Sequence, residues 1–405
     1  MTAATREPDP RVLIAGAGPT GLAAALRLAQ CGVAVVVLEK RMQLGRLLRA
    51  SAWLPPTLEA FAHLGILDGM LRTGLQARRI ACLRSGTTAP FARFDLGLLA
   101  DETRFPFRLH LDQGSVTAAL AAGLAAYPNV RLAFGAELVQ VDQDATGVAV
   151  RVRSALGERV ERGAYLLAAD GAESTARTCL GIGMDGSAAT GRLLEVMTPT
   201  DLSELVPGAE ATTWIQAAGG CCGLLRLPDL WQIAMPLDNG QSDATALDEA
   251  ALRARLARLL PFGASALPLV AREVRTVRRQ VAASYAAGRV LLAGDAAHMV
   301  QTRFGLNMNC GLHDALAAAE ALLAALHTPA AADGVLDRYG RERRLIATAQ
   351  LLPHADRAVP GEETWAAELA AAAADPSRAR AWLRAACMLD VPGLRAAAAA
   401  PAVPG

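Results

Sequence analysis

Near the start of the chain, Gly16, Gly18 and Gly21 follow the spacing G-x-G-x-x-G. Gly16 permits a tight turn, Gly18 lets backbone approach a pyrophosphate, and Gly21 lets a helix pack closely on the strand before it. The anion would sit on a helix N-terminus, where unpaired N–H groups and the dipole favour negative charge. Glu39 lies about 20 residues beyond the glycines, where a carboxylate can accept hydrogen bonds from an adenosine ribose. It would repel a ribose phosphate, so the spacing suits FAD or NAD rather than NADP. Lys40, next to it, belongs to the same cofactor-facing strand end. Two further acidic turns, Asp170-Gly171 and Gly294-Asp295, follow apolar runs much later in the chain. Read alone, the first is a turn and the second a helix cap. Read with the glycines, Gly294-Asp295 is the other half of a divided dinucleotide site.

These residues need a frame. Residues 12–15 read as a short buried strand, 22–30 as a helix and 33–38 as a second buried strand, which is the strand-turn-helix context the glycine spacing requires. Residues 44–54 read as a loop entering Pro55-Pro56, with a helix starting at Thr57. Residues 80–95 alternate apolar and polar around Ser85-Gly86-Thr87, the pattern of an antiparallel hairpin. A helix is predicted over 116–126 and strands over 130–134, 138–141, 148–153 and 165–169. Between 184 and 280 short strands dominate, including 212–216, 221–226 and 231–235, interrupted by a helix at 250–260. Residues 290–293 return as a buried strand, and Gly311 opens an apolar helix through Leu326. The expected fold is α/β: a Rossmann-like FAD-binding domain with an inserted β-rich substrate domain and a C-terminal helical segment. The FAD-binding domain is expected from residues 1–79, 100–183 and 284–350, and the β-rich domain from 80–99 and 184–283. Residues 351–405 form the tail, with helices over 365–374 and 378–387.

Composition narrows the partners. Forty basic and 39 acidic side chains in 405 residues leave a formal charge of +1, so charge favours neither nucleic acid nor an anionic membrane. Arg272, Arg275, Arg278 and Arg279 are interrupted by valines and a glutamate, as in an alternating, half-exposed strand. Residues 1–10 lack the apolar core of a signal peptide and no apolar run reaches membrane-spanning length, so a cytoplasmic protein is expected. Seven cysteines without a C-x-x-C pair fit a reducing compartment. The six histidines show no metal-ligand spacing, and no metal is expected.

The stretch Ala168-Ala-Asp170-Gly171-Ala-Glu-Ser174-Thr-Ala-Arg177, the motif Gly294-Asp295-Ala-Ala-His298 and the amino-terminal glycines each follow a strand. In this order they resemble the class A flavoprotein monooxygenases of the para-hydroxybenzoate hydroxylase type, over residues 10–350. The resemblance implies FAD as cofactor, NAD(P)H as co-substrate, and hydroxylation of a small aromatic, phenolic molecule by O2 through a flavin hydroperoxide. It implies Arg49 near the flavin pyrophosphate, Gln113 at a cofactor-contacting position opening a helix, and Asp295 on the ribityl chain. Asp170 matches a position linked to both flavin and nicotinamide use. Beyond Asp295 the family runs through a proline, paired glycines and an Asn-x-Gly. Gly305, Met308, Asn309, Gly311 and Asp314 fit that pattern. Thr302 replaces the proline, Phe304 a glycine, and Asn307 the glycine where backbone approaches the flavin ring. Asparagine adopts positive φ more readily than most residues. The helix opening near Gly311 would point its N-terminus at the pyrimidine edge, where reduction develops negative charge.

The strand 231–236, W-Q-I-A-M-P, resembles the family's substrate roof. Alternation puts Gln232 and Ala234 on the face opposite Trp231, Ile233 and Met235, and Gln232 and Cys222 are the substrate-pocket candidates. Flavin halogenases carry W-x-W-x-I-P; Ile233 stands at the second tryptophan position and argues against that chemistry. A free phenol titrates near pH 10, so a base or relay would help to activate it. No residue declares itself as that base: His298 reads as structural, while His110 and His313 lie near proposed site segments. A nicotinamide dehydrogenase would explain the glycines but not the two acidic turns together. The alternatives are a Baeyer-Villiger-type or other flavin oxidoreductase and a non-catalytic flavin-binding protein, the last motivated by the altered loop 302–307.

Overall fold

The runs Val12–Ala15, Tyr165–Ala168 and Val290–Leu292 are buried at every residue, so they need cover on both faces, which a parallel sheet flanked by helices provides. The computed structural model describes residues 10–45, 52–217, 220–238, 240–260, 267–300, 305–353 and 362–391. These three runs lie side by side in a six-stranded sheet ordered Ala286–Ala287, Val290–Leu292, Tyr165–Ala168, Val12–Ala15, Val35–Glu39, Val130–Phe134. Ala15 pairs in parallel with Ala168, and Ala168 with Leu292. The turns that follow, at Gly16, Asp170 and Gly294, therefore open together at one carboxyl edge, where ligands of open α/β sheets bind.

Over this edge the helix Pro19–Gln30 packs against the long helix Leu306–His327. Small residues permit the approach. A Cβ added to Gly311 would lie 3.0 Å from Gly294 Cα and 3.4 Å from Thr20 Oγ1. One junction thus joins the first glycine turn, the Gly294 turn and the long helix. The long helix starts at Leu306, ahead of the expected Gly311, because Gly305 at its N-cap takes φ 70°. Asn307, Met308 and Asn309 consequently fill the first helical turn, and the positive φ expected at Asn307 belongs to Gly305.

An eight-stranded sheet stands beside the first, ordered His298–Val300, Ala271–Ala282, Met184–Thr198, Trp231–Leu237, Gly220–Arg226, Thr212–Ala217, Arg79–Arg84, Ala92–Asp95. One face carries Leu194, Val196, Leu224, Ile233 and Met235, and these pack with Leu252 and Leu256 of the helix Glu249–Leu259. Its edge strand His298–Val300 sits between the Gly294 turn and the long helix, so the two sheets are joined at the cofactor edge. A small sheet of Ala52–Trp53, Arg108–His110 and Leu75–Ala77 closes one side. The helices Glu362–Ala373 and Pro376–Ala386 cover the outer strands, with Trp382 stacked on Phe94 at 4.0 Å between centroids. The strand Gly157–Gly163, paired with Val148–Ser154, was absent from the sequence reading.

A Cβ on Gly21 would collide with the Gly16 carbonyl oxygen, a backbone atom that cannot turn away. Gly21→Ala is expected to destabilise the protein by about 1–3 kcal/mol, read as a fall in the midpoint of thermal or urea unfolding of the flavin-free protein.

Candidate functional site

Gly16 takes φ 99°, and a Cβ there would meet the Ala169 carbonyl, so the first turn is wedged against the second. Glu39 Oε2 accepts the Ala17 N–H at 2.9 Å and Oε1 accepts the Arg41 N–H at 2.9 Å. The ribose carboxylate of the sequence reading thus also pins the glycine turn, and keeps acceptor positions on each oxygen. Lys40 beside it is exposed. At the helix start, Gly18 is the N-cap and supplies no side-chain hydrogen bond. Asp112, Asp248 and Asp375 cap their own helices with carboxylates. Around Gly18 a Cβ would meet nothing within 4 Å. Uncapped N–H donors beside open space fit a bound pyrophosphate, so the residues present suit FAD. Arg49, Thr302 and Phe304 lie outside the described residues.

The second turn is braced internally. Asp170 Oδ1 accepts the Ser174 hydroxyl at 2.5 Å and Oδ2 accepts the Ala176 N–H at 3.1 Å. Arg177, buried at the end of the same motif, donates to the carbonyls of Ala172 and Ala296, both at 3.0 Å. It ties the Asp170 turn to the Asp295 turn. Asp295 Oδ1 in turn accepts from Asn307 Nδ2 at 2.8 Å. Asn307 Oδ1 accepts the Val300 N–H at 2.8 Å and faces His298 Nδ1 at 3.0 Å. Asn309 holds the neighbouring backbone, accepting the Leu54 N–H at 3.0 Å and donating to Ala52 O at 3.0 Å and Gly305 O at 2.8 Å.

Below them Asp314 is fully buried. Its Oδ2 lies 2.7 Å from His298 Nε2 and 3.2 Å from the Gly294 N, and its Oδ1 accepts from Arg343 Nε at 2.6 Å. Both His298 nitrogens face acceptors, Asn307 Oδ1 and Asp314 Oδ2, so the ring is an imidazolium donating twice. Burial opposes that charge, but the Cys310 sulfur and the Asp314 carboxylate outweigh it and raise His298 well above its ordinary pKa. Burial would raise Asp314, but Arg343 and His298 hold it below the usual carboxylate range. Atoms of His298, Cys310 and Asp314 lie within 4.8 Å of one another, yet the carboxylate is already committed to two cations.

Between the first turn of the long helix and the free face of the large sheet lies a cavity of about 550 Å³. The helix side contributes Asp295, Gly305, Asn307 and Met308, and Gln113 borders it from the start of its helix. Gln232 lines the opposite wall as expected from alternation, with Ala234, Trp214, Glu195 and Glu273. Cys222 does not. It points into the core behind the sheet, while Cys221 borders the cavity. Gly223 pairs with both Trp214 and Ala234, which puts odd-numbered residues of that strand on the cavity side. His110 is sandwiched between the Arg226 carbonyl, 2.8 Å from Nδ1, and Thr212 Oγ1, 3.1 Å from Nε2. Burial pushes it down to about 3. His313 meets Thr57 Oγ1 at 3.3 Å, and burial, aided by Arg343, also lowers it to about 3. Both are neutral packing histidines outside the cavity wall. Sequence reasoning missed Arg343, Glu195 and Glu273, and gave Arg177 and Arg275 no individual role in the site.

A glycine turn and two acidic turns on one parallel-sheet edge, opening on a polar cavity roofed by a second sheet, define a flavoprotein oxidoreductase architecture. Residues 9–352 match the family described as "FAD binding domain", and the chain belongs to it. It is 31% identical over 339 residues to the para-nitrophenol 4-monooxygenase of Pseudomonas sp. strain WBC-3, covering 83% of each protein. It is 29% identical over 339 residues to the 6-hydroxy-3-succinoylpyridine 3-monooxygenase HspB of Pseudomonas putida strain DSM 28022 / S16, covering 82% of this chain and 84% of that protein. The crystal structure of p-nitrophenol 4-monooxygenase PnpA from Pseudomonas putida DLL-E4 superposes with a TM-score of 0.88 at 30% identity, covering 96% of this chain and 99% of that one. Aklavinone-11 hydroxylase, in a ternary complex with FAD and aklavinone, superposes at a TM-score of 0.74 with 26% identity over 87% of this chain and 69% of that one. The chain is an FAD-dependent aromatic monooxygenase with NAD(P)H as co-substrate.

Two outcomes are expected. Gly18→Asp should leave the flavin-free protein as stable as the parent, since its φ of −76° is ordinary, yet weaken FAD about tenfold or more by placing a carboxylate where the pyrophosphate belongs; fluorescence titration with FAD reads this. His298→Gln should cost about 1–3 kcal/mol by removing one of the two charged donors to Asp314. The raised His298 pKa makes its share fully present below about pH 6.5 and lost as pH rises through the folded value. The lowered Asp314 pKa makes its share disappear as pH falls below about 3.9. The difference between parent and variant in urea unfolding should therefore shrink at both ends of the pH range.

Proposed function

We propose that the chain hydroxylates a small para-substituted phenol bound between the first turn of the long helix and the polar face of the large sheet. The cavity carries this reading: its volume of about 550 Å³ falls in the range of small-ligand sites, roughly 300–1,000 Å³, and its walls come from the cofactor edge on one side and the sheet on the other. Two similar proteins named as para-nitrophenol monooxygenases support the choice of a single phenolic ring.

When bound, FAD supplies the acceptance of electrons from NAD(P)H and the activation of O2. The chain supplies the rest. The Gly16 to Gly21 turn and the helix behind it hold the pyrophosphate, Glu39 the adenosine ribose, and Asp295 the ribityl hydroxyls, its orientation fixed by Asn307. The uncapped start of the long helix at Gly305 offers N–H dipoles to negative charge on the pyrimidine edge. Gln232 hydrogen-bonds the substrate from the sheet. Trp214 and the sheet face exclude water from the ring. Asp170 acts through the shape of its turn.

The reading places the protein in the cytoplasm, supported by seven cysteines all present as free thiols. Among the described residues no helix is long and apolar enough to cross a membrane. Its partners are the phenol, O2 and NAD(P)H, with no nucleic acid.

FAD-loaded protein is expected to oxidise NADH or NADPH faster when a phenol such as 4-nitrophenol is present, and to place one atom of labelled dioxygen in the product, read by mass analysis. Flavin-loaded protein that oxygenates none of a broad phenol panel would instead point to a non-catalytic flavoprotein.

A further inference from the structure

The cavity face of the large sheet carries two acidic residues directly across from each other. Glu195 pairs with Ala234 on one side and with Glu273 on the other. Residues so paired have Cβ atoms about 4.5–5.5 Å apart, and two like charges there repel. Glu195 is also 92% removed from solvent, at 8% exposure. Arg275, on the same strand as Glu273, donates from Nη1 to both Glu195 oxygens at 3.0 and 3.1 Å. Burial raises the Glu195 pKa; Arg275 opposes that, and Glu273 adds to it through its charge and a hydrogen bond. Two carboxyl groups held in such contact repel when both are charged, and taking up a proton relieves that repulsion.

The other charged groups around the cavity are Arg108, Arg278 and Asp295. Asp295 is engaged by Asn307, Arg108 donates to the Ala386 carbonyl at 2.9 Å, and Arg278 pairs with Glu173 at 2.6 Å. None of the described histidines or tyrosines borders the cavity.

Resting on the phenol hydroxylase reading, we propose that the Glu195–Glu273 pair, backed by Arg275, is the proton acceptor that ionises the bound phenol and disfavours ring carboxylates beside it. The phenol O–H bond breaks, its electron pair stays on the phenolate oxygen, and a new O–H bond forms on a carboxylate oxygen of the pair. The pair gains one proton and loses one negative charge while the substrate gains one negative charge. Arg275 lies beside the pair and the phenolate, and the cavity's total charge is unchanged.

The test uses FAD-loaded protein without reductant, with 4-nitrophenol as the probe because its neutral and ionised forms absorb differently. Bound to the parent, the probe should be ionised about tenfold more than when free at the same pH, a shift of about one pH unit. Glu195→Gln and Glu273→Gln should each bind FAD normally and return the bound probe toward its free ionisation. In turnover with the phenol that the parent hydroxylates fastest, both variants should lose about 10²-fold in kcat/KM at neutral pH, together with the acid limb of the pH profile. Variants that bind and ionise the probe as the parent does, or keep that limb, would overturn the proposal while leaving the hydroxylase reading intact. A parent protein that loads FAD but neither binds nor oxygenates any phenol would overturn the reading itself. Gln variants that lose flavin or unfold earlier than the parent would show the pair to be structural, which also overturns the proposal.

Discussion

A single buried carboxylate holds the two sheets in register. Asp314 sits in the long helix and reaches the Gly294 backbone, the His298 ring that begins the edge strand of the large sheet, and Arg343 in the helix Ala332–Ile346. A carboxylate without water costs several kcal/mol, so these partners cannot drift apart without exposing that cost. The arrangement is stiff for the same reason. His298 also hydrogen-bonds Asn307, which links the cluster to the edge of the cavity. Removal of Asp314 leaves His298 and Arg343 without a counter-charge, while removal of either cation leaves the carboxylate with the other.

From this anchor the cofactor edge follows by direct links. Asn307 orients Asp295, Arg177 joins the Asp295 turn to the Asp170 turn, and the Asp170 turn meets Gly16 through the Ala169 carbonyl. Each link fixes one of the three motifs relative to the next. Asp170 illustrates the difference between proximity and contact. Its oxygens accept from Ser174 and Ala176, so its observed task is to shape the turn that Gly16 packs against.

The strands and glycines of the cofactor edge were legible because each motif has a local cause: a buried apolar run, then a turn residue that backbone geometry demands. The parity of Gln232 was legible too, since alternation is local. Cys222 was misassigned because parity on its strand depends on the register across a turn, and register is set by pairing partners rather than by the strand's own residues. The start of the long helix was misplaced for a related reason. Gly311 looks like a helix boundary, yet its small size serves the contact with Gly294 and Thr20, and the boundary is set by the φ of Gly305. The arginines at 272–279 read as an alternating, half-exposed strand. Arg275 was invisible as a cavity residue because its partner, Glu195, lies on another strand.

The cavity wall has three cations and three carboxylates, Arg108, Arg275 and Arg278 against Glu195, Glu273 and Asp295. An evenly charged list would suggest a surface without preference, but the pairing divides it. Arg108 and Arg278 spend contacts on the C-terminal helix and on Glu173, at the margins, while Asp295 is held on the cofactor side. That leaves one acidic pair with one arginine on the sheet, where three strands set their spacing. Charges on neighbouring strands cannot separate to relieve repulsion as charges on loops can. The repulsion therefore adds to burial in raising the Glu195 pKa, and a neutral hydroxyl can enter such a wall at far less electrostatic cost than an anion.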